Sequence, residues 1–211
     1  MARRAVLVIA AGLVGLAFAL GGRRKVDDCP DIYEPDEPAV PVDDYAEYVG
    51  QSSCDPTEKI GMRLFREYVW TRFGGGGVGI VRPCSAPGTS EHEEGRAWDW
   101  GIVEGADLPG GLPPRFPADV DGFIEWLTCT DKGGNENANA RRAGVMYMIY
   151  DRRIWRAYDK PGEPRGHWYP YSGSDPHTSH IHVSLSWAGA NAQSSLYDMI
   201  RGGAVAPLPV T

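Results

Sequence analysis

Two histidine-containing segments lie far apart in this chain, and a fold that lets them share one metal ion must bring them together. The first segment, residues 90–100, reads SEHEEGRAWDW, and the second, residues 177–184, reads HTSHIHVS. Imidazole nitrogens and carboxylate oxygens are ligands that zinc accepts. Three such ligands leave a fourth position open for water, which is typical of a catalytic zinc rather than a structural one. The sequence therefore predicts that the two segments are neighbours in space.

The second segment opens a strand with clean alternation from His180 to Trp187. A period of two places His180 and His182 on one face, roughly 7 Å apart, and the apolar residues on the other. A buried imidazole needs polar partners, so a purely structural reason for two of them is hard to find. We expect one ring to bind the metal and the other to face the substrate or water. The alternative is an exposed strand face that carries two histidines.

The first segment predicts a loop followed by a strand over residues 95–103 that carries Asp99. Gly95 lets the backbone turn closely between His92 and Asp99. Trp98 and Trp100 indicate a packed strand whose aspartate points to the opposite face, where it needs a cation or hydrogen-bond donors. The alternative is a surface loop in which Asp99 is a turn residue. The Glu93–Glu94 pair is interpreted as part of a solvated loop.

Together the two patterns resemble the signature of the zinc D-alanyl-D-alanine peptidases. The matching positions are Ser90, His92, Gly95, Ala97 and Asp99 in the first segment and His180 and His182 in the second. The resemblance covers about Ser53 to Trp187. Those peptidases share a fold with the hedgehog signalling domain and a metal-site plan with lysostaphin-type endopeptidases, so the resemblance implies a hedgehog/DD-peptidase-like domain.

The resemblance also implies roles for single residues. His92, Asp99 and His182 would ligate Zn²⁺, and His180 would orient or deprotonate the attacking water or stabilise the oxyanion. Ser90 would hold the terminal carboxylate of the substrate. For the arginine that polarises the scissile carbonyl the candidate is Arg82, with Arg72 as the alternative.

One position departs from the pattern of some of those peptidases. They carry a carboxylate general base three residues before the last zinc histidine, where this chain has Ser179. The resemblance therefore favours the variety with two histidines. Asp175 precedes a proline and predicts a turn. His177 is either a second-shell group or solvent exposed, and the sequence does not decide between the two.

The termini predict export from the cytoplasm. A basic start at Arg3 and Arg4 precedes an apolar run, and residues 1–22 are interpreted as a signal peptide or a membrane anchor that tethers the protein through residues 5–22. Residues 23–52, rich in proline and acid, predict an extended linker. A domain is expected over residues 53–203, followed by a tail over residues 204–211.

The cysteines fit a secreted or membrane-anchored, extracytoplasmic protein. The four are widely spaced and include no Cys-x-x-Cys pair, which favours disulfides over a zinc ribbon. Of the three pairings that four cysteines allow, we favour Cys54–Cys84, which flanks one helix-to-strand unit, together with Cys29–Cys129. The alternative is that some are free buried thiols.

The remaining periodicity predicts an α+β fold, an antiparallel β-sheet with flanking helices. Helices are expected from Asp55 to before Gly74, around Val120 to Leu127, and around Ser194 to Ile200. A strand is expected over residues 78–82 and a hairpin over residues 145–158.

The functional expectation is an exported zinc metallopeptidase, a carboxypeptidase or an endopeptidase, that hydrolyses amide bonds in peptidoglycan peptides with a zinc-activated water. The net charge of −7 excludes the basic field that a nucleic-acid partner requires. The first alternative is a non-catalytic zinc-binding recognition or adhesion module of the same fold, because fold alone does not assign activity. A secreted structural domain without metal is the second. His180 favours the enzyme, since the metal does not need it as a ligand.

Overall fold

The computed structural model of the chain describes residues 41–103 and 115–202, which build an antiparallel sheet with helices packed on one side. The six strands are β1 (Gly76–Gly79), β2 (Ala97–Gly101), β3 (Val145–Tyr150), β4 (Arg153–Arg156), β5 (Trp168–Pro170) and β6 (His180–Leu185). The helices are α1 (Ile60–Phe73), α2 (Val120–Thr128), α3 (Ala138–Ala143), α4 (Trp187–Ala190) and α5 (Ser195–Gly202), with a 3₁₀ helix at Glu91–Glu94. The predicted α+β class with an antiparallel sheet and flanking helices is confirmed.

The spatial order of the strands is β1-β2-β6-β3-β4-β5, so the last strand of the chain lies at the centre. All five neighbouring pairs are antiparallel. Strands β2 and β6, which carry the two sequence patterns, pair directly. This pairing is what brings the two distant segments together.

The two faces of the sheet differ in chemistry, as alternation requires. One face carries Trp98, Trp100 and Val183, which pack with Phe65 of α1 and Trp126 of α2 in a core of fully buried side chains. The aromatic rings meet edge-on or tilted, for example Phe65 and Trp98 with ring centroids 6.4 Å apart. The opposite face, free of these helices, carries the polar side chains.

Several predicted elements are confirmed with shifted ends. The hairpin forms as β3 and β4, and the alternating strand as β6. Helix α1 begins at Ile60 rather than near Asp55, because the backbone N–H of Asp55 donates to Glu93 and that of Lys59 to Gly95. The segment before Ile60 thus packs against the 3₁₀ helix in place of a helical turn.

Residues 41–53, which we call the arm, contain no helix or strand and lie along the domain. At one end the Ser195 hydroxyl donates to the carbonyl oxygen of Pro41 and contacts the Asp43 carboxylate. At the other end Arg96 donates to the carbonyl oxygen of Val49, and the N–H of Ser53 donates to Glu94. The arm is therefore hydrogen-bonded to the domain at both ends.

The predicted disulfide between Cys54 and Cys84 is confirmed. Cys129 is also disulfide-bonded, while its predicted partner Cys29 lies outside the described residues. The predicted leader (1–22), most of the linker and the tail (204–211) lie outside them as well. In the ranges that the structure describes, no helix has both the length and the apolar character needed to cross a membrane.

Candidate metal centre

Three side chains converge on the polar face of the sheet. Asp99 of β2 lies directly opposite His182 of β6, and residues opposite each other across antiparallel strands project from the same face. His92 reaches the same point from the 3₁₀ helix, which lies beside β2. The Ser90 hydroxyl caps that helix by accepting a hydrogen bond from the N–H of His92. The structure thus brings His92, Asp99 and His182 together.

The ligand atoms are spaced as a small metal ion requires. His92 Nε2 lies 3.3 Å from His182 Nδ1 and 3.3 Å from Asp99 Oδ1, and His182 Nδ1 lies 2.9 Å from Asp99 Oδ1. Bonds of about 2.0–2.1 Å in tetrahedral geometry place neighbouring zinc ligands about 3.3 Å apart. Two imidazole nitrogens and one carboxylate oxygen at these distances fit Zn²⁺ without rearrangement of the backbone.

For Asp99 and His182 the structure favours the protonation states of metal ligands, whereas Asp99 favours the charged form of His92. Burial alone would raise the pKa of Asp99, but hydrogen bonds from His182 and His92 outweigh burial and hold the pKa well below its usual range. Burial lowers the pKa of His182, which favours a neutral ring. For His92, burial is outweighed by the neighbouring Asp99, and the pKa is raised. An anionic carboxylate beside neutral His182 is the donor set that a divalent cation needs.

The orientation of each imidazole is fixed by its second nitrogen. His92 Nδ1 donates to the carbonyl oxygen of Ile80 at 2.8 Å, which leaves Nε2 for the cluster. His182 Nε2 lies 3.0 Å from the Ser184 hydroxyl, whose proton is directed to Glu91 at 3.4 Å. Such outer contacts typically select the tautomer of a metal-binding histidine.

Tyr147 completes this support. Its ring stacks on that of His182 with centroids 5.5 Å apart, and its hydroxyl donates to Glu91 at 2.6 Å. Burial and the adjacent Glu91 raise the pKa of Tyr147, so the hydroxyl remains a donor. The sequence interpretation missed Tyr147, Glu91 and Ser184. The only available signal was the alternation that places Ser184 on the histidine face.

His180 lies beside the three convergent atoms without joining them. Its Nε2 is 3.8 Å from Asp99 Oδ1, beyond hydrogen-bonding distance, and its side chain is partly exposed. The side chain of Asp99 is 24% exposed, against 11% for His92 and 9% for His182. The cluster is thus open to solvent on the side where His180 stands.

The predicted arginine and serine have other partners. Arg82 donates from Nε and Nη2 to Glu93 Oε1 at 3.1 and 2.8 Å, and it lies near enough to His92 to oppose protonation of that ring. Arg72 lies over the ring of Tyr68 on α1 instead. Ser90 is the helix cap described above. Of the two arginines, Arg82 is the one that the fold places beside the cluster.

The interpretation of Glu93 and Glu94 as a solvated pair is wrong, because both side chains are buried. Glu93 accepts from Arg82 and from Gln51 of the arm. Glu94 accepts from Arg96 and from the backbone of the arm, and these bonds lower its pKa against the effect of burial. The two carboxylates anchor the turn that carries His92.

A second polar group lies next to the first. Asp175, His177 and His180 each offer one ligand atom, and these atoms lie within 4.8 Å of one another. His177 is buried, which answers the question that the sequence left open about its exposure. Its ring is 4.8 Å from that of His180 and 5.9 Å from that of His182, measured between centroids.

Comparison with known proteins gives one match. A family model described as the VldE C-terminal domain matches residues 54–182, more than half of the chain. The matched range contains the whole first segment and the second segment as far as His182, where the match ends. No curated protein and no solved structure matches the chain.

Proposed function

The chain belongs to the family of the VldE C-terminal domain, and we propose that its domain is an exported zinc metallopeptidase acting on peptidoglycan peptides. The observation that carries the proposal is the convergence of His92, Asp99 and His182 at 2.9–3.3 Å with an additional imidazole alongside. We also propose that the sheet and its helices are of the hedgehog/DD-peptidase type. The peptidoglycan substrate and the export follow from the sequence resemblance and the predicted leader.

His92 Nε2, Asp99 Oδ1 and His182 Nδ1 would hold the ion. When bound, zinc supplies Lewis acidity, which polarises a carbonyl group and lowers the pKa of water. Three protein ligands leave room for a further ligand from solvent or substrate, and the partly exposed Asp99 opens the cluster to solvent. The chain's contribution is to keep these ligands fixed, and the contacts of Ile80, Ser184 and Glu91 support that role.

His180 is the residue proposed to move a proton. Its Nδ1 lies 3.2 Å from the Ser179 hydroxyl, and its Nε2 faces Asp99 and the solvent side of the cluster. An imidazole can accept a proton from water and return it to a leaving amine. Because Nε2 lies outside the three convergent ligand atoms, its lone pair remains available for this transfer.

Arg82 and Ser90 have different proposed roles. Arg82 is held by Glu93 beside His92, and its positive charge there complements negative charge that develops on a substrate oxygen. Ser90 orients the turn of His92 through its cap. The hydrogen bonds of Ser90 support this orienting role, while the substrate contact rests on the resemblance alone.

Two substitutions separate a catalytic centre from a non-catalytic zinc module. His92→Ala removes a ligand, and we expect the purified protein to lose its zinc. His180→Ala removes only the proton acceptor, and we expect it to retain zinc and to lose about 100-fold or more of the hydrolysis rate. Zinc content is measured by elemental analysis, and hydrolysis by mass spectrometry of a muropeptide substrate.

His167→Ala is the matched control, because His167 is exposed and stands on the helical side, in a cavity of about 280 Å³ lined by Trp155 and Trp168. It should change neither zinc content nor hydrolysis. A wild-type protein that holds one zinc and cleaves no muropeptide would favour the recognition module. If His180→Ala loses as much zinc as His92→Ala does, the ligand assignment is contradicted.

A further inference from the structure

We propose that Asp175, His177 and His180 form a second, weaker zinc site, and that filling it silences the hydrolytic centre by engaging His180. The binding part stands on the geometry of these three residues alone. The silencing part rests on the proposed function, in which His180 is the proton acceptor.

The backbone holds His177 in a fixed position beside the cluster. It has a φ of 51°, which non-glycine residues seldom adopt. The carbonyl oxygen of His177 accepts a hydrogen bond from the N–H of Asp151 at 2.9 Å. The carbonyl oxygen of Pro176 accepts one from the N–H of Arg152, also at 2.9 Å. Asp151 and Arg152 form the turn between β3 and β4, so the His177 loop is tied to the central hairpin. The imidazole is therefore placed by the fold, with its side chain only 10% exposed.

The rings of His177 and His180 lie 4.8 Å apart, measured between centroids, and each keeps one nitrogen free. His177 Nδ1 donates to the carbonyl oxygen of Asp175 at 2.8 Å, which fixes the tautomer and leaves the Nε2 lone pair unprotonated. This is the arrangement that His92 makes with Ile80. His180 Nδ1 is engaged by Ser179. Among the described residues neither Nε2 has a hydrogen-bond partner. Metal-binding histidines typically show this pattern of one bonded and one free nitrogen.

The carboxylate of Asp175 completes the donor set. Its Oδ2 lies 4.0 Å from His180 Nε2, and one of its oxygens lies within 4.8 Å of a ring nitrogen of His177. Two imidazole nitrogens and one carboxylate oxygen suit Zn²⁺ and related first-row ions. The Asp175 side chain is 58% exposed, so it is free to rotate toward an ion.

The spacing predicts that the second site is the weaker one. Asp175 Oδ2 and His180 Nε2 lie 4.0 Å apart, wider than the spacing of about 3.3 Å that zinc requires. Binding must therefore draw in an exposed side chain and restrict it, which costs conformational entropy. The first site needs no such movement, and it should fill first.

Occupation of the second site has a chemical consequence for the first. The lone pair of His180 Nε2 cannot bind a cation and accept a proton at the same time. His180 lies 3.8 Å from Asp99, so the added positive charge would also stand next to the first ion. Excess zinc should therefore inhibit an enzyme that one zinc activates.

Zinc titration of the metal-free protein by calorimetry tests the binding. We expect one tight and one weaker equivalent. His177→Asn, chosen because asparagine tolerates a left-handed backbone, should weaken the second equivalent by about 100-fold or more, since even indirect contacts change metal affinity 10- to 100-fold. Asp175→Asn should weaken it as well, and neither change should remove the tight equivalent.

The matched controls are Asp44→Asn, which changes an exposed carboxylate on the arm, and His167→Asn. Both variants should still bind two equivalents of zinc. The hydrolysis rate of each protein is measured at one and at ten equivalents of zinc. The rate at ten equivalents is then divided by the rate of the same protein at one equivalent. Inhibition by excess zinc should occur in the wild type and be relieved in His177→Asn.

Two results would overturn the second site and leave the proposed function intact. Either the wild type binds a single zinc, or His177→Asn and Asp175→Asn leave binding of the second zinc unchanged. A second equivalent that fills without inhibition would overturn the silencing. Absence of the tight equivalent would instead overturn the proposed function.

Discussion

At the scale of single residues, the centre depends on how each histidine ring is turned. Ser184 is the contact between His182 and the buried pair Glu91 and Tyr147. Removing its hydroxyl leaves His182 Nε2 without that acceptor and leaves Nδ1 free to become the protonated nitrogen. A protonated Nδ1 cannot ligate a metal, so Ser184 is a positioning residue.

We expect Ser184→Ala to weaken zinc binding by about 10-fold, the lower end of effects seen for second-shell contacts. Competition with a chromophoric chelator measures the affinity. Ser172→Ala, at an exposed serine, is the control and should bind zinc as the wild type does. An unchanged affinity in Ser184→Ala would show that Tyr147 and the backbone orient His182 without the hydroxyl.

The convergence of His92, Asp99 and His182 could be predicted from the sequence, whereas their supporting contacts could not. Two histidines two apart on an alternating strand must share a face, and Asp99 between two tryptophans must point away from the core. The register that puts Asp99 opposite His182 depends on how the strands pair, and neither segment encodes it alone. The link from Ser184 to Glu91 spans 93 residues of sequence and becomes visible only after folding.

At the scale of elements, the turn that carries His92 depends on a close approach at Gly95. This residue ends the 3₁₀ helix with a φ of 65°, and a Cβ added there would lie 1.9 Å from the carbonyl oxygen of Thr57. The backbone of the segment before α1 is packed directly on the turn. No side chain fits between them.

Gly95→Ala should therefore lower the free energy of unfolding by more than the strain of a left-handed alanine alone. Gly88→Ala is the matched control, because Gly88 has a φ of 81° and nothing within 4 Å of an added Cβ. We expect Gly88→Ala to lower the free energy of unfolding by roughly 1–2 kcal/mol because of the left-handed backbone. Gly95→Ala should lower it by roughly 1–3 kcal/mol more because of overpacking. Urea denaturation of the metal-free proteins measures both. Equal losses would mean that the segment at Thr57 moves aside freely.

The same packing explains why two element boundaries were mispredicted. Asp55, Pro56 and Glu58 have the composition of a helix start, but their backbone is committed to the turn at Glu93 and Gly95. Strand β1 occupies Gly76–Gly79 rather than residues 78–82, because Ile80 bonds His92 and the N–H of Arg82 donates to the carbonyl oxygen of His92. In both places a tertiary contact with the turn that carries His92 overrides local preference.

At the scale of the whole molecule, the Cys54–Cys84 disulfide closes a loop that contains α1 and β1. The two cysteines are 30 residues apart in sequence. A cross-link of this span is expected to stabilise the protein by about 3–4 kcal/mol, mainly by restricting the unfolded chain. The loop also contains Ile80, which orients His92, so the disulfide supports the site from outside it.

The double substitution Cys54→Ser with Cys84→Ser should lower the free energy of unfolding by about 3 kcal/mol. Urea denaturation followed by the fluorescence of the 7 tryptophans measures the change. Ser85→Ala in the intact protein controls for local substitution beside Cys84. A loss below about 1 kcal/mol would indicate that the unfolded chain keeps this loop closed through residual structure.

The arm gives the domain a boundary that its family match does not reveal. The matched range starts at residue 54, yet Gln51, Ser52 and Ser53 supply hydrogen-bond donors to the buried carboxylates of Glu93 and Glu94. Cutting the chain at the start of the match would leave two buried acids short of partners directly under the turn of His92. A fragment expressed for metal studies should therefore begin before Gln51, because one that starts at residue 54 would misreport an inactive centre as a property of the family.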